Sequence, residues 1–293
     1  SRQQSMSTAE TWRAASAFWP GVDDSQFVNT PVGSFHVRIS GAGEDVLLLH
    51  GAGASGHSFD GVVKALRQHY RLIVPDLPGQ GFSSLLAPEQ VGLSEFAHYL
   101  ISLMAQLDTS PRWIIGHSAG AALATQVALQ ANEPPEGIVC INAAFNPFGS
   151  VAAPIFSKAA RLLARNQWLP RLLASPALRW RATPAMLSDT GSSVDPLMSQ
   201  CYDALLSNPD HIAGTLRMMA GWDLPPLLVR LPQLEMPIWL IAAEGDKTIP
   251  PERSLSVMAK LKSGRSFRLP GLGHLAHEED PEAIAEIFLE MTA

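Results

Sequence analysis

The sequence predicts an α/β domain in which a mostly parallel sheet carries helices on both faces and a helical lid is inserted. Short runs rich in Val, Ile and Leu alternate along the chain with helical patterns, which is typical of parallel strands joined by helices. One run leads through Gly-x-Ser-x-Gly into an alanine-rich stretch. Polar residues follow the other runs, where the predicted strands end.

We predict seven strands, at residues 35–39, 46–50, 72–75, 113–116, 138–142, 238–243 and 266–269. In an open parallel sheet, functional residues lie in the loops that follow the carboxyl ends of the strands. The polar residues that fall there are His50, Asp76, Ser118, Asn142, Asp246 and His274.

The alternation of strands and helices breaks in residues 148–226, which are rich in Leu, Ala and Met and interrupted by prolines. This predicts a lid of short helices inserted into a core formed by residues 24–147 and 227–293. Residues 1–23 are expected to form an N-terminal arm. We expect Met6 to be the native start and residues 1–5 to be a remnant from expression.

The chain has 293 residues, of which 46% are hydrophobic, so it can bury a large core without a metal or disulfides. Two cysteines form no disulfide framework, and we therefore expect a cytoplasmic protein. No apolar run approaches the roughly 20 residues of a membrane span. The net charge of −6 argues against nucleic-acid binding, and no spacing predicts a metal or cofactor.

The charge is unevenly distributed. Residues 150–188 contain no Asp or Glu and carry six cations, so the rest of the chain has a net charge of −12. These cations are Lys158, Arg161, Arg165, Arg171, Arg179 and Arg181. They fit a solvated amphipathic face, with Leu162, Leu163 and Leu169 facing elsewhere, or a face that contacts a ligand, a membrane surface or a partner protein.

Ser118 is the candidate nucleophile, because it lies between a predicted strand and a predicted helix in the pattern of a nucleophile elbow. The tight turn requires small neighbours, which Gly116 and Gly120 provide. A serine hydroxyl becomes nucleophilic when an imidazole removes its proton and a carboxylate orients that imidazole.

His274 is the candidate base, since it follows the last predicted strand in a glycine-rich loop. His211 falls in the lid and His277 begins an acidic helix start, so both are weaker candidates. Asp246 is favoured as the acid that orients the base, and Glu244 is the alternative. The predicted order of Ser, acid and His along the chain fits a nucleophile elbow of this type.

An oxyanion hole requires backbone N–H groups beside the nucleophile. We expect them from Ala119 and from Ala52, in the loop after the second predicted strand. Several other residues are candidates for the substrate pocket, although a Met or Trp on a helical stripe is more often ordinary core. They are Asn142, Phe145, Met218, Met219 and Trp222.

As a set, these motifs resemble the α/β-hydrolase superfamily over roughly residues 35–291. Residues 50–55, 141–149, 218–224 and 269–279 resemble more closely the magnesium-chelatase accessory proteins of bacteriochlorophyll biosynthesis. Ala52 and Gln80 depart from that group, in which a small hydroxyl residue and a His are common. The resemblance implies an α/β-hydrolase fold and a role near magnesium insertion into protoporphyrin in a photosynthetic bacterium.

Three functions remain open from the sequence. The leading hypothesis is a serine hydrolase that acts on a small-molecule acyl substrate with an ester-like bond. A second is a non-catalytic accessory protein that binds a porphyrin or the magnesium-chelatase subunits, with peripheral membrane contact as a further option. A third is a lyase or cofactor-free oxygenase. Dehalogenase or epoxide hydrolase chemistry is disfavoured, because those enzymes use Asp at the elbow where this chain has Ser118.

Overall fold

A twisted sheet forms the centre of the structure, a computed structural model that describes residues 7–146, 159 and 161–293. Within these residues eight strands are present, in the spatial order β1-β2-β4-β3-β5-β6-β7-β8. They are β1 (Ser25–Thr30), β2 (Gly33–Gly41), β3 (Glu44–Leu49), β4 (Tyr70–Pro75), β5 (Trp113–His117), β6 (Gly137–Ile141), β7 (Ile238–Ala243) and β8 (Gly264–Leu269). β2 is antiparallel to both of its neighbours, and the other pairs are parallel.

All seven predicted strands overlap observed ones, and the predicted fold class is confirmed. Strand β1, which forms an edge hairpin with β2, was not predicted from the sequence. β1 has the sequence SQFVNT and is partly exposed along its length. It therefore lacks the apolar run by which the buried strands were recognised.

Twelve α-helices have both bounds within the described residues, besides short 3₁₀ segments, and residues 161–164 are also helical. They are α1 (Thr8–Ala15), α2 (Asp60–Leu66), α3 (Leu93–Gln106), α4 (Ala119–Gln130), α5 (Leu169–Leu173), α6 (Pro176–Ser188), α7 (Pro196–Leu206), α8 (Pro209–Gly221), α9 (Pro225–Arg230), α10 (Pro251–Ser254), α11 (Ala276–Glu279) and α12 (Pro281–Thr292).

The sheet is buried on both faces because alternate residues of each strand point in opposite directions. In β3, Leu47 and Leu49 pack with α3 and α4 in one core cluster. Val46 and Leu48 pack with α2 and α12 in the other. This two-sided cover holds the carboxyl ends of the parallel strands in fixed positions, with the loops that follow them gathered at one edge.

Helices α5–α9 lie between β6 and β7, and α9 runs past the predicted lid boundary at residue 226. Four of them begin with a proline, which is tolerated in the first turn because its missing N–H has no helical partner there. Asp195 and Asn208 cap α7 and α8 by accepting backbone N–H groups. The predicted boundary at residue 148 lies outside the described residues, so the exact extent of the lid stays a prediction.

Helix α1 lies in the predicted N-terminal arm and begins with a capping box between Ser7 and Glu10. The rings of Trp12 and Trp19 each lie 4.8 Å from the ring of Phe82, measured between centroids. Trp19 and Phe82 also join Cys201 of α7 in a small core cluster. The arm therefore ties the inserted helices to the loop after β4.

Candidate active site

Ser118 lies at the sharp turn between β5 and α4, with φ 56° and ψ −119°. A positive φ is unusual for a residue other than glycine and marks local backbone strain. A Cβ on Gly116 would lie 2.3 Å from the Gly120 carbonyl oxygen, and one on Gly120 would lie 2.2 Å from the Leu49 carbonyl oxygen. Only glycine fits at these two positions, which accounts for the Gly-x-Ser-x-Gly sequence.

His274 and Asp246 follow β8 and β7 and are joined by a hydrogen bond of 2.8 Å from the His274 Nδ1 to the Asp246 Oδ2. Both residues are buried. The other carboxylate oxygen of Asp246 accepts the N–H groups of Thr248 and Ile249, each at 2.8 Å. These bonds fix the carboxylate, which holds the proton of His274 on Nδ1 and leaves Nε2 as the basic nitrogen.

Two side chains at the ends of β5 and β6 hold the backbone of His274 beside the nucleophile turn. Nε2 of His117, the residue before Ser118, lies 2.8 Å from the His274 carbonyl oxygen. The Asn142 amide donates to the same oxygen at 2.8 Å, and its own oxygen accepts the Ala243 N–H at 2.8 Å. The structure thus brings the loop that carries the predicted base beside the turn that carries the predicted nucleophile.

Glu244, the alternative acid, lies elsewhere. Its side chain is exposed and forms an ion pair with Arg268, with 3.2 Å between oxygen and nitrogen. Arg268 also lies 3.5 Å from Glu252. Glu244 therefore belongs to a solvated charge cluster, and Asp246 is the carboxylate that contacts His274.

The loop after β3 lies against the nucleophile turn, since a Cβ on Gly51 would lie 3.0 Å from the Cβ of Ser118. Two side chains fix the loop at Gly53: the Gln80 oxygen accepts its N–H at 2.8 Å, and His211 Nε2 lies 3.1 Å from its carbonyl oxygen. Among the described residues, no hydrogen bond joins the N–H of Ala52 or of Ala119 to an acceptor. Both predicted oxyanion donors are therefore available.

The predicted pocket residues lie mainly in the packed interior. Asn142, Phe145 and Met218 are almost completely buried, and the Met218 sulfur lies 3.0 Å from the Gln80 amide nitrogen. Trp222 packs edge-on against Phe96 with 5.7 Å between ring centroids. Their contact with a substrate stays a prediction, whereas the contacts of Asn142 assign it to the support of His274.

Several buried histidines surround this site. Burial lowers the pKa of His57 and His277 to about 3, that of His211 to about 4, and that of His117 well below its usual value. These rings are therefore neutral at physiological pH. His50 also lies between backbone groups, with Nδ1 2.7 Å from the Gly51 oxygen and Nε2 accepting the Leu77 N–H at 2.9 Å.

A contact from the inserted helices to the loops that carry Asp246 and His274 was not predicted from the sequence. In the turn between α6 and α7, the Thr190 carbonyl oxygen accepts the His274 N–H at 2.9 Å, and Ser192 Oγ accepts the Leu275 N–H at 2.8 Å. Gly191 has φ +75°, and a Cβ there would lie 2.3 Å from the Gly245 carbonyl oxygen. No local pattern marks this turn, because its partners are more than 50 residues away.

Comparison with known proteins places the chain in a family. The profile of the alpha/beta hydrolase family matches residues 46–287. The Magnesium-chelatase 30 kDa subunit of Rhodobacter capsulatus is 40% identical over 248 residues, which cover 85% of this chain and 86% of the relative.

More distant relatives and solved structures are also similar to this chain. A pimeloyl-[acyl-carrier protein] methyl ester esterase of Vibrio vulnificus is 27% identical over 266 residues, covering 87% of this chain and 96% of the relative. The crystal structure of naproxen esterase from Bacillus subtilis superposes with a TM-score of 0.73 at 18% identity, covering 98% of this chain and 97% of the other. By its profile, its relatives and its fold, the chain belongs to the alpha/beta hydrolase family.

Proposed function

We propose that this protein is a serine hydrolase that cleaves an ester-like acyl bond through an acyl-enzyme. Ser118 is the nucleophile, His274 is the base and then the acid, and Asp246 orients His274. The observation that carries the proposal is the Asp246–His274 hydrogen bond, in loops fixed beside a strained Ser118. The backbone N–H groups of Ala52 and Ala119 form the oxyanion hole.

The reaction follows from these positions. His274 Nε2 takes the Ser118 hydroxyl proton as Oγ bonds to the acyl carbon, and the carbonyl oxygen becomes an oxyanion. The oxyanion accepts the N–H groups of Ala52 and Ala119. The tetrahedral intermediate expels the leaving group, which receives the proton from His274. Water then attacks the acyl-enzyme with His274 again as base, releasing the acid and restoring Ser118.

We further infer that the reaction is linked to magnesium chelation in bacteriochlorophyll biosynthesis. The 40% identity to a protein named as a magnesium-chelatase subunit supports this link, as do the motifs shared with the accessory proteins. Bacterial cytoplasm fits both the chelatase link and the absence of a disulfide between the two buried cysteines.

A second candidate is a non-catalytic accessory protein that binds a porphyrin or the magnesium chelatase itself. The name of the Rhodobacter relative favours it, because a protein named as a subunit is expected to associate with the rest of its enzyme. The two candidates differ in their dependence on Ser118. A binding protein retains its function when Ser118 is replaced by alanine, whereas a hydrolase does not.

Turnover of p-nitrophenyl esters of graded acyl length tests the proposal. We expect measurable kcat with at least one ester and loss of that turnover in Ser118→Ala. If the folded wild-type protein hydrolyses none of the esters while a porphyrin quenches its tryptophan fluorescence at micromolar concentration, the accessory function is favoured. Turnover that survives in Ser118→Ala contradicts the assigned nucleophile.

The turn at Gly191 allows a prediction about how Asp246 and His274 are positioned. A Cβ on Gly191 would press on the Gly245 carbonyl, next to the orienting Asp246, so either the loop after β7 or the turn that bonds to His274 must shift. We expect Gly191→Ala to lower kcat by about 10- to 100-fold with little change in KM, because small misplacements of catalytic groups cost this much. Steady-state kinetics on the best ester measures it.

Gly271→Ala is the matched control for this variant. Gly271 has φ +74°, nearly that of Gly191, and a Cβ there meets nothing within 4 Å. The two variants therefore share the strain of a positive φ, and only Gly191→Ala adds the close contact. Equal loss of activity in both would show that contact with the Gly245 carbonyl has no part in positioning.

A further inference from the structure

The surface formed by residues 161–186, here called the lid face, presents large apolar side chains to solvent. Of the eleven large hydrophobic residues that are exposed within the described part of the chain, eight lie on it. They are Leu162, Leu163, Trp168, Leu172, Leu173, Leu178, Trp180 and Met186. One of the two interpretations left open by the sequence places Leu162, Leu163 and Leu169 away from the basic residues; in the structure Leu162 and Leu163 are 75% and 43% exposed.

The inward side of the same helices is lined mostly by smaller residues. Ala164, Pro170, Ala174 and Thr183 are buried there, whereas Trp168 and Trp180 are 74% and 64% exposed. A helix that only covers a core places its large apolar residues inward. Exposed apolar surface on this scale is typical of an interaction site.

The lid face is also basic. Arg161, Arg165, Arg171 and Arg181 are exposed, and no salt bridge involves them within the described residues. The guanidinium carbon of Arg171 lies 5.4 Å from the centre of the Trp168 ring, and that of Arg181 lies 4.8 Å from the Trp180 ring. Cations therefore stand directly beside the exposed aromatic rings. The sixth cation of the window, Lys158, lies outside the described residues.

A cleft of about 590 Å³ opens at the edge of the lid face. Arg161, Arg165 and Arg217 line it together with Leu162 and Glu89, so three cations stand against one carboxylate there. The Nε of Arg217 is buried and has no hydrogen-bond partner among the described residues. The cleft therefore offers donors to an anionic group next to the exposed apolar side chains.

We propose that the lid face docks on the surface of a lipid bilayer that contains anionic lipids. Trp168 and Trp180 enter the boundary between headgroups and acyl chains, where amphipathic rings are favoured. The arginines contact anionic headgroups, and the cleft receives one headgroup phosphate. The rest of the chain, at −12, is repelled by such a membrane, which turns the lid face toward it.

The same charges disfavour a second copy of the chain as the occupant. A two-fold dimer brings the same patch of both copies together, so the arginines of one copy would meet those of the other. Residues 150–188 supply no acid to pair with them. An anionic bilayer offers both the negative charge and the apolar layer that this surface lacks.

Sedimentation with vesicles tests the proposal. We expect the wild-type protein to sediment with phosphatidylglycerol-containing vesicles at physiological salt and much less with pure phosphatidylcholine. Arg171→Glu with Arg181→Glu should lower the vesicle partition coefficient by ~10-fold or more, since each cation near an anionic surface raises that coefficient several-fold. Trp168→Ala with Trp180→Ala should lower it similarly, and brominated lipids should quench the wild-type fluorescence more strongly than that of this variant.

Val229→Ala with Arg230→Glu is the matched control, because both residues are exposed and lie outside the lid face. We expect this variant to bind vesicles like the wild type. Circular dichroism confirms that each variant is folded. The proposal is overturned if wild-type protein does not bind the anionic vesicles, or if the lid-face and control variants bind alike. A dimer in ultracentrifugation that only the lid-face variants dissolve, without vesicle binding, also overturns it.

Discussion

Replacing Ser118 by alanine should reduce kcat for ester hydrolysis by roughly 10⁴- to 10⁶-fold, with the fold retained. His274→Ala should cost about as much, and the double variant should be no worse than either single one, because the two residues act as one unit. Steady-state and single-turnover kinetics on the best ester measure these losses. Additive losses, or more than a tenth of wild-type kcat in Ser118→Ala, contradict the assignment.

Asp246→Asn should reduce kcat by about 10⁴-fold, because an amide in place of the carboxylate favours the wrong tautomer of His274. The amide oxygen can still accept the N–H groups of Thr248 and Ile249, so the loop should keep its shape. Glu244→Gln is the matched control: this carboxylate follows the same strand but pairs with Arg268 at the surface. We expect the control to retain full activity.

The second large effect is a loss of stability in mild acid. Burial lowers the pKa values of His57, His277 and His211 to between about 3 and 4, and those of His50 and His117 also lie below normal. In the unfolded chain these groups take up protons near pH 6.5. Their contribution to stability is therefore complete above pH 6.5 and is lost as pH falls toward the folded values.

Each such histidine lowers the free energy of unfolding by up to ~1.4 kcal/mol per pH unit in this window. One carboxyl group acts in the opposite direction. Burial raises the pKa of Glu278 to about 7, so its contribution is greatest below its unfolded value and is lost as pH rises through 7. The effect of several histidines outweighs that of one carboxyl group, so we expect the free energy of unfolding to fall as pH is lowered from 6.5 to 4.5.

Urea unfolding at pH 8, 6.5, 5.5 and 4.5 measures this effect. Glu278→Gln should make the acid loss steeper and raise stability at pH 8 relative to pH 5, because the opposing group is removed. The Tyr202 hydroxyl, which donates to Glu278 at 2.6 Å, can still donate to the Gln oxygen. Equal wild-type stability at pH 7 and pH 5 would contradict the buried, neutral histidine cluster.

The parts of the fold that are encoded locally could be predicted. Buried strands are continuous apolar runs. The elbow at Ser118 requires glycine on both sides, because a Cβ at Gly116 or Gly120 would lie 2.3 or 2.2 Å from a backbone oxygen. The order of residues after strands then separated His274 from His211 and His277. Asp246 was preferred to Glu244 on the same basis, and the hydrogen bond to His274 agrees with this choice.

The parts that depend on distant contacts could not be predicted. The support of His274 by Thr190 and Asn142 joins segments from three loops, and nothing in the local sequence marks them as partners. The hydrogen bond of Gln80 to Gly53, in the loop after β3, could not be predicted for the same reason. The outward direction of Leu162 depends on packing that periodicity does not determine.

The central claim, that Ser118 is activated by His274, is tested most directly by a fluorophosphonate probe, with the adduct located by peptide mass spectrometry. We expect one adduct, on Ser118, in the wild-type protein, and none in folded Ser118→Ala or His274→Ala. The loss of labelling in His274→Ala matters most, since this variant keeps the serine and removes only its base. No adduct in folded wild-type protein, or equal labelling in His274→Ala, would contradict the account.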